Sequence, residues 1–257
     1  MSKHELEGFI RPFTFFRFIR YFKIRALYSL GRSVRGLKFQ RHDQKDLFSQ
    51  LVADVISNKD RNLLSQQLYD YYQTYSHLSS ADVVTLPGNN YLSQYPEWAL
   101  VLPWENQRIE DKFRKYSDYF IDNRSTHGLK IDSNIHNSDI SETFYSFSGA
   151  CSQIEQTYKL YQSFSRYGII QKRNVPIIDI LVDKSQWRWM MSCSGNHRCY
   201  LIFNMGYSVL ESRIGTIVKK CNSKYWPNVK NGLYSVDEAE YLFDLVFEGN
   251  TAIRGIV

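Results

Sequence analysis

Long uncharged apolar runs are missing from this sequence, and cysteine and proline are scarce, with 4 and 6 residues among 257. Without a run of about 20 apolar residues, no transmembrane helix is expected. The four cysteines, Cys151, Cys193, Cys199 and Cys221, form no C-x-x-C pair, and no signal-peptide pattern precedes them. That spacing argues against a redox or metal centre and for small buried thiols in a reduced, cytoplasmic protein. No internal repeat or low-complexity segment appears, and acidic residues are absent from 9–41.

Aromatic residues, by contrast, are abundant, with 19 Tyr and 16 Phe, which favours a packed core over disorder. A net charge of +6 and a pI near 9.0 admit anionic partners: nucleotides, phosphorylated sugars, anionic lipid or nucleic acid. Charge alone does not choose among them.

Residues 1–41 read as a basic aromatic N-terminal segment. Pro12 can open a helix, after which Phe15, Phe18 and Phe22 recur at helical spacing among Arg17, Arg20 and Lys23. Such a helix suits the headgroup layer of an anionic membrane, through residues 9–41. A docking helix that completes the core and a nucleic-acid surface remain open readings of the same pattern.

Residues 42–140 read as a helical and irregular region. Leu47, Leu51, Val55 and Ile56 keep a helical rhythm, and Leu63, Leu64, Leu68 and Tyr72 continue one after Asp60, a predicted N-cap. Turn signals at 86–90 and a Pro-bounded apolar run at 95–105 follow, then a helix from Ile109 and a polar loop at 122–128.

From 141 to 250 the pattern tightens. A helix carrying Glu155, Tyr158 and Phe164 should end at Gly168; strands are predicted at 175–182, 188–193 and 209–218. Gly195 should open a helix that stops at Gly206, and Ser235 with Glu238 forms a capping box for a final helix. The predicted class is α+β, a small mixed sheet with helices.

Within that order, Ser194-Gly195-Asn196-His197-Arg198 joins a strand to a helix. A helix start offers unpaired N–H groups and the positive end of the helix dipole, both suited to phosphate. Gly195 admits close backbone approach, Arg198 can add a two-pronged contact to phosphate oxygens, and His197 can bond phosphate or act as an acid or base.

This turn, the helix ending at Gly206 and the flanking strands resemble the ParB/sulfiredoxin-like superfamily. The likeness is closer to ParB-like proteins associated with bacterial surface-polysaccharide biosynthesis. It is carried also by Leu102-Pro103-Trp104-Glu105, the 123–128 loop and Trp226-Pro227, and so covers about 96–249. The resemblance implies a compact ParB/sulfiredoxin-like domain that holds nucleotide phosphates at Ser194, Gly195, Asn196, His197 and Arg198. It also implies ATP or CTP with Mg²⁺ as cofactor and a small or glycan-related substrate; the composition of the basic aromatic segment, separately, would place the chain at the inner face of the membrane.

Sulfiredoxin chemistry needs a cysteine where this chain has Asn196. Chromosome partitioning needs a helix-turn-helix domain for which no room follows the last strand, so nucleic acid is not an expected partner. A phosphotransferase or nucleotide hydrolase needs a carboxylate base. Glu155 is the candidate, with His197 as a second catalytic group, and Asn123, Arg124, Asp179 and Arg213 are candidate substrate contacts. A nucleotide-responsive adaptor at the membrane without catalysis is the alternative, and a DNA-binding ParB-like protein, favoured only by the positive charge, is a third reading. No protein metal ligands are predicted.

Overall fold

Alternation of apolar residues along the predicted strand segments gives half-buried strands, and the helical rhythms give helices, so the chain is a mixed α+β structure. A computed structural model describes residues 23–32, 47–75, 78–86, 88–121, 147–169, 175–191 and 195–249. In chain order the elements are β1 (Lys23–Leu27), a 3-10 turn (Tyr28–Leu30), β2 (Gly31–Arg32), α1 (Leu47–Ile56) and α2 (Arg61–Tyr75). Then come α3 (Ser80–Val83), α4 (Ile109–Ile121), α5 (Phe147–Tyr167), β3 (Ile177–Asp183) and β4 (Gln186–Met191). The remainder are α6 (Asn196–Asn204), β5 (Val209–Lys219), α7 (Pro227–Lys230) and α8 (Val236–Glu248).

The sheet order is β1-β5-β3-β4-β2. β1 runs antiparallel to β5, β5 parallel to β3, β3 antiparallel to β4, and β4 parallel to β2. β1 and β2 are consecutive in the chain yet lie at opposite edges, so the sheet curls until one short segment bridges both edges. Three hydrogen bonds fix that bridge: Tyr28 N to the Ser208 carbonyl at 3.0 Å, Tyr28 OH to the Cys199 carbonyl at 2.7 Å, and Trp189 Nε1 to the Leu27 carbonyl at 2.8 Å. Residues 23–32, read from sequence as part of the basic aromatic segment 1–41, are therefore strands of the same sheet as 177–219. The helix expected around Phe15 to Phe22, and residues 33–41, lie outside the described residues.

One face of the sheet carries Ile178, Ile180, Trp189, Met191, Leu210 and Ile214, packed on α6, α1 and Phe164 of α5. The other carries Leu181, Met190 and Val218, packed on α8 and on the irregular chain from Leu92 to Trp104. A third cluster joins α1, α2 and α5 through Leu51, Val55, Leu64, Leu68, Ile154 and Tyr158. Trp104 and Trp226 are core anchors, both buried and edge to face at 5.3 Å. Asp60 caps α2 by accepting from Leu63 N at 2.9 Å. Ser235 and Glu238 form the expected capping box of α8. Gly168 and Gly206 end α5 and α6 with φ of 72° and 100°.

The register of β3 on β5 slips between Ile178 and Ile180, where β5 carries an extra residue. A bulge of this kind leaves a ladder N–H without its partner strand. Here Thr216 N donates instead to Asp179 Oδ1 at 2.8 Å.

Candidate anion-binding site

β4 leads into α6 through Gly195, which has φ 92° and ψ 13° and whose carbonyl accepts the first helix bond, from Cys199 N at 2.9 Å. A Cβ at this position would stand 3.1 Å from Cβ of Pro176, just before β3. Both the left-handed conformation and the close approach call for glycine. A glycine N-cap also has no side chain with which to satisfy the N–H groups of the first turn. Asn196, His197 and Arg198 follow on that turn, each half-buried.

The first turn of α6 rests against α1. The His197 ring meets Phe48 edge-on at 4.9 Å, and Phe48 meets Tyr200 at 5.1 Å. Cys199 is buried, and burial pushes its thiol up to about 12, so it is an inert core group. At the same end of the domain, Asn196 Oδ1 and Ser212 Oγ are buried without a hydrogen-bond partner.

The candidate residues do not all converge. Gly195, Asn196, His197 and Arg198 share the start of α6, while Ser194, Asn123 and Arg124 lie outside the described residues. Arg213 donates its backbone N–H to the Pro176 carbonyl at 2.9 Å, beside the strand end that Gly195 rests on. Its side chain, though, is on the exposed face, since Ser212 and Ile214 on either side of it are buried toward α6. Asp179 likewise faces away from α6, and its carboxylate is occupied by the bulge. Glu155, on α5, is bound to Arg61 of α2 at 2.6 Å and stands 3.7 Å from Lys159. It belongs to the α2–α5 surface, a turn before the α5 residues Leu160, Tyr161 and Phe164 that reach the α6 core.

Glu105 escaped notice as a titrating group. Burial raises its carboxyl and the Asp179 charge adds to the rise, against the opposing influence of Lys112 and the Leu102 backbone. Burial also pushes Asp179 up to about 6, its hydrogen bonds from Thr216 working the other way. Glu105 is held in place because Asn228 Nδ2 donates to the carbonyls of Leu102, Glu105 and Gln107 at 2.9, 3.0 and 3.2 Å. The sequence signal was present in the Trp-Glu pair inside an apolar run, but the partner Asp179 is brought to it only by tertiary packing.

Among the described residues no group of three or more His, Cys, Asp or Glu could hold a metal ion. From Gly195 to Asn204 there is no carboxylate at all. Among the described residues, no helix is long and apolar enough to cross a membrane. Comparison with protein-family models, with curated proteins and with solved structures finds no match to the chain.

Proposed function

We propose that the start of α6 binds a phosphate group, and that the chain is a nucleotide- or phosphate-binding protein of the ParB/sulfiredoxin-like kind. The observation that carries this reading is Gly195. It caps the helix without a side chain, in a conformation only glycine adopts freely, so the first turn has no side-chain cap from its N-cap residue. Arg198 on that turn supplies a charge-assisted contact, and a helix N-terminus adds about 0.3 to 1 kcal/mol for an anion at its end. The basic aromatic chain before β1 is, on this reading, an attachment to an anionic membrane surface.

The test is a thermal-shift screen of ATP and CTP, with and without Mg²⁺, on the full chain and on Arg198→Ala. Stabilisation that Arg198→Ala abolishes is expected. No stabilisation by any phosphate compound sinks the reading.

A catalytic role, as a phosphotransferase or nucleotide hydrolase on a glycan-related substrate, rests on the resemblance alone. It asks for a carboxylate within hydrogen-bond reach of the acceptor. Glu155 is engaged by Arg61, so binding without turnover, as in a nucleotide-responsive adaptor, is the better supported form. Turnover of ATP or CTP that Glu155→Gln removes would reverse that order.

A further inference from the structure

Unsatisfied buried polar atoms are destabilising and uncommon in folded proteins, so two at one place call for a cause. Ser212 is 0% exposed, and its Oγ has no hydrogen-bond partner; Asn196 Oδ1 is buried in the same condition. Their positions are linked through Pro176. Ile177 pairs with Arg213 in the parallel β3–β5 ladder, so Pro176 stands across from Ser212, one residue earlier on each strand. Pro176 is also the residue against which Gly195 rests, at 3.1 Å for a Cβ built there. Alternation puts Ser212 on the face of β5 that meets α6, together with Leu210 and Ile214. The orphaned hydroxyl thus lies on the face of the sheet that α6 covers, one strand over from the proline on which Gly195 rests.

The two orphans are chemically complementary. A serine hydroxyl has one proton to donate, and an amide oxygen only accepts. They are not bonded to each other. We propose that Ser212 is a positioning residue of the anion site. When a phosphate seats at the start of α6, the first turn settles onto β5 and Ser212 Oγ donates to Asn196 Oδ1. That bond fixes the Asn196 amide so that its Nδ2 and the adjacent backbone N–H groups remain aimed at the anion. The inference rests on the reading of the α6 start as a phosphate site. It differs from that reading in naming a residue with no access to the ligand.

The experiment is calorimetric titration of inorganic phosphate into the full chain, wild type, Ser212→Ala, Asn196→Ala and the double variant. Thermal denaturation of each without phosphate runs alongside. Ser212→Ala is expected to weaken phosphate about tenfold, the scale of one hydrogen bond near a charge, and Asn196→Ala by more, because it also removes Nδ2. The double variant should be no weaker than Asn196→Ala alone, because that substitution already removes the Ser212 bond. The ligand-free melting temperature of Ser212→Ala should be unchanged or higher, since an unsatisfied hydroxyl has gone; a merely structural serine would lower it. Ser212→Cys, of similar shape with a weaker donor, carries the same expectation should Ser212→Ala not fold. Phosphate binding that Arg198→Ala abolishes and Ser212→Ala leaves untouched overturns this inference alone, as do losses that multiply in the double variant. Absence of phosphate binding by the wild type overturns it together with the site.

Discussion

Arg32 places its guanidinium on the last carbonyl groups of α8: Nε donates to the Phe247 carbonyl at 3.0 Å, and Nη2 donates to the same oxygen. Nε also reaches the Val246 carbonyl at 3.0 Å, and Nη1 donates to the Gly31 carbonyl at 2.8 Å. The side chain is 1% exposed. A buried cation is tolerable here because a helix C-terminus presents unpaired carbonyls and the negative end of the dipole. Burial still takes its toll, holding Arg32 down to about 10. The contact ties the β2 edge to the last helix across most of the chain.

Arg32→Ala should therefore cost about 3 kcal/mol, from the lost charge-assisted bonds and the space left behind. Arg32→Lys should recover only part, because an ammonium is not a planar fork that spans several carbonyls. Urea denaturation midpoints at neutral pH measure both. A loss below about 0.5 kcal/mol, the range of an ordinary surface change, would show that the contact contributes little.

Asp179 gives a prediction with a definite pH window. Its folded pKa, about 6, lies above the ordinary 3.8, so the folded state binds the proton more tightly between those values. The stability this group contributes is present below pH 3.8 and falls as pH rises through 6. Asp179→Asn keeps an acceptor for Thr216 N–H and removes the buried charge. It should be more stable than the wild type by about 2 kcal/mol above the window, with the advantage vanishing at its acid end. Denaturation of both proteins across pH 4 to 8 decides; an advantage independent of pH would refute the assignment.

How much of this was legible in sequence depends on how local each feature is. Asp60, Ser235, Glu238 and the helix-opening Gly195 act on neighbours within a turn, and residue type alone announces them. The strands β1 and β2 were masked by their surroundings. Ile24, Ala26 and Tyr28 do alternate with Arg25 and Leu27, but the aromatic and basic run before them has helical spacing and dominated the reading. Arg32 on α8 and Asp179 on the β5 bulge could not be foreseen, because each answers a backbone group that only the folded sheet brings near. The ion pair of Glu155 was hidden for the converse reason. A helical carboxylate advertises chemistry, while its cation, Arg61, sits on another helix.

Gly195→Ala should separate the backbone from the charge at the start of α6. A side chain there must accept φ 92° and a Cβ contact of 3.1 Å to Pro176. The strain should cost about 1 to 3 kcal/mol, and relief by shifting the turn would also move the N–H groups. Lower stability together with loss of phosphate binding is the expected pair of results. Arg198→Ala should lose binding without placing a side chain in the left-handed turn. Wild-type phosphate affinity in Gly195→Ala would show that the turn does not form the site.

The bridge formed by 23–32 decides how the N-terminal segment can be tested. A deletion through residue 41 removes both edge strands, the buried Ala26 and Tyr28, and Arg32 with its hold on α8. Those losses together approach the whole stability of a domain, about 5 to 15 kcal/mol, so that variant should not fold. A deletion of residues 1–22 spares every one of these contacts. It removes Arg11, Arg17 and Arg20 with the phenylalanines among them. If that stretch is the attachment to an anionic surface, the full chain should float with vesicles rich in phosphatidylglycerol and not with phosphatidylcholine vesicles, and the 1–22 deletion with neither. Flotation that survives the deletion would move the membrane contact onto the folded part, where Arg25 and Arg213 share the exposed side of β1 and β5. Binding to duplex DNA with a steep salt dependence, lost in the same deletion, would instead assign the segment to nucleic acid.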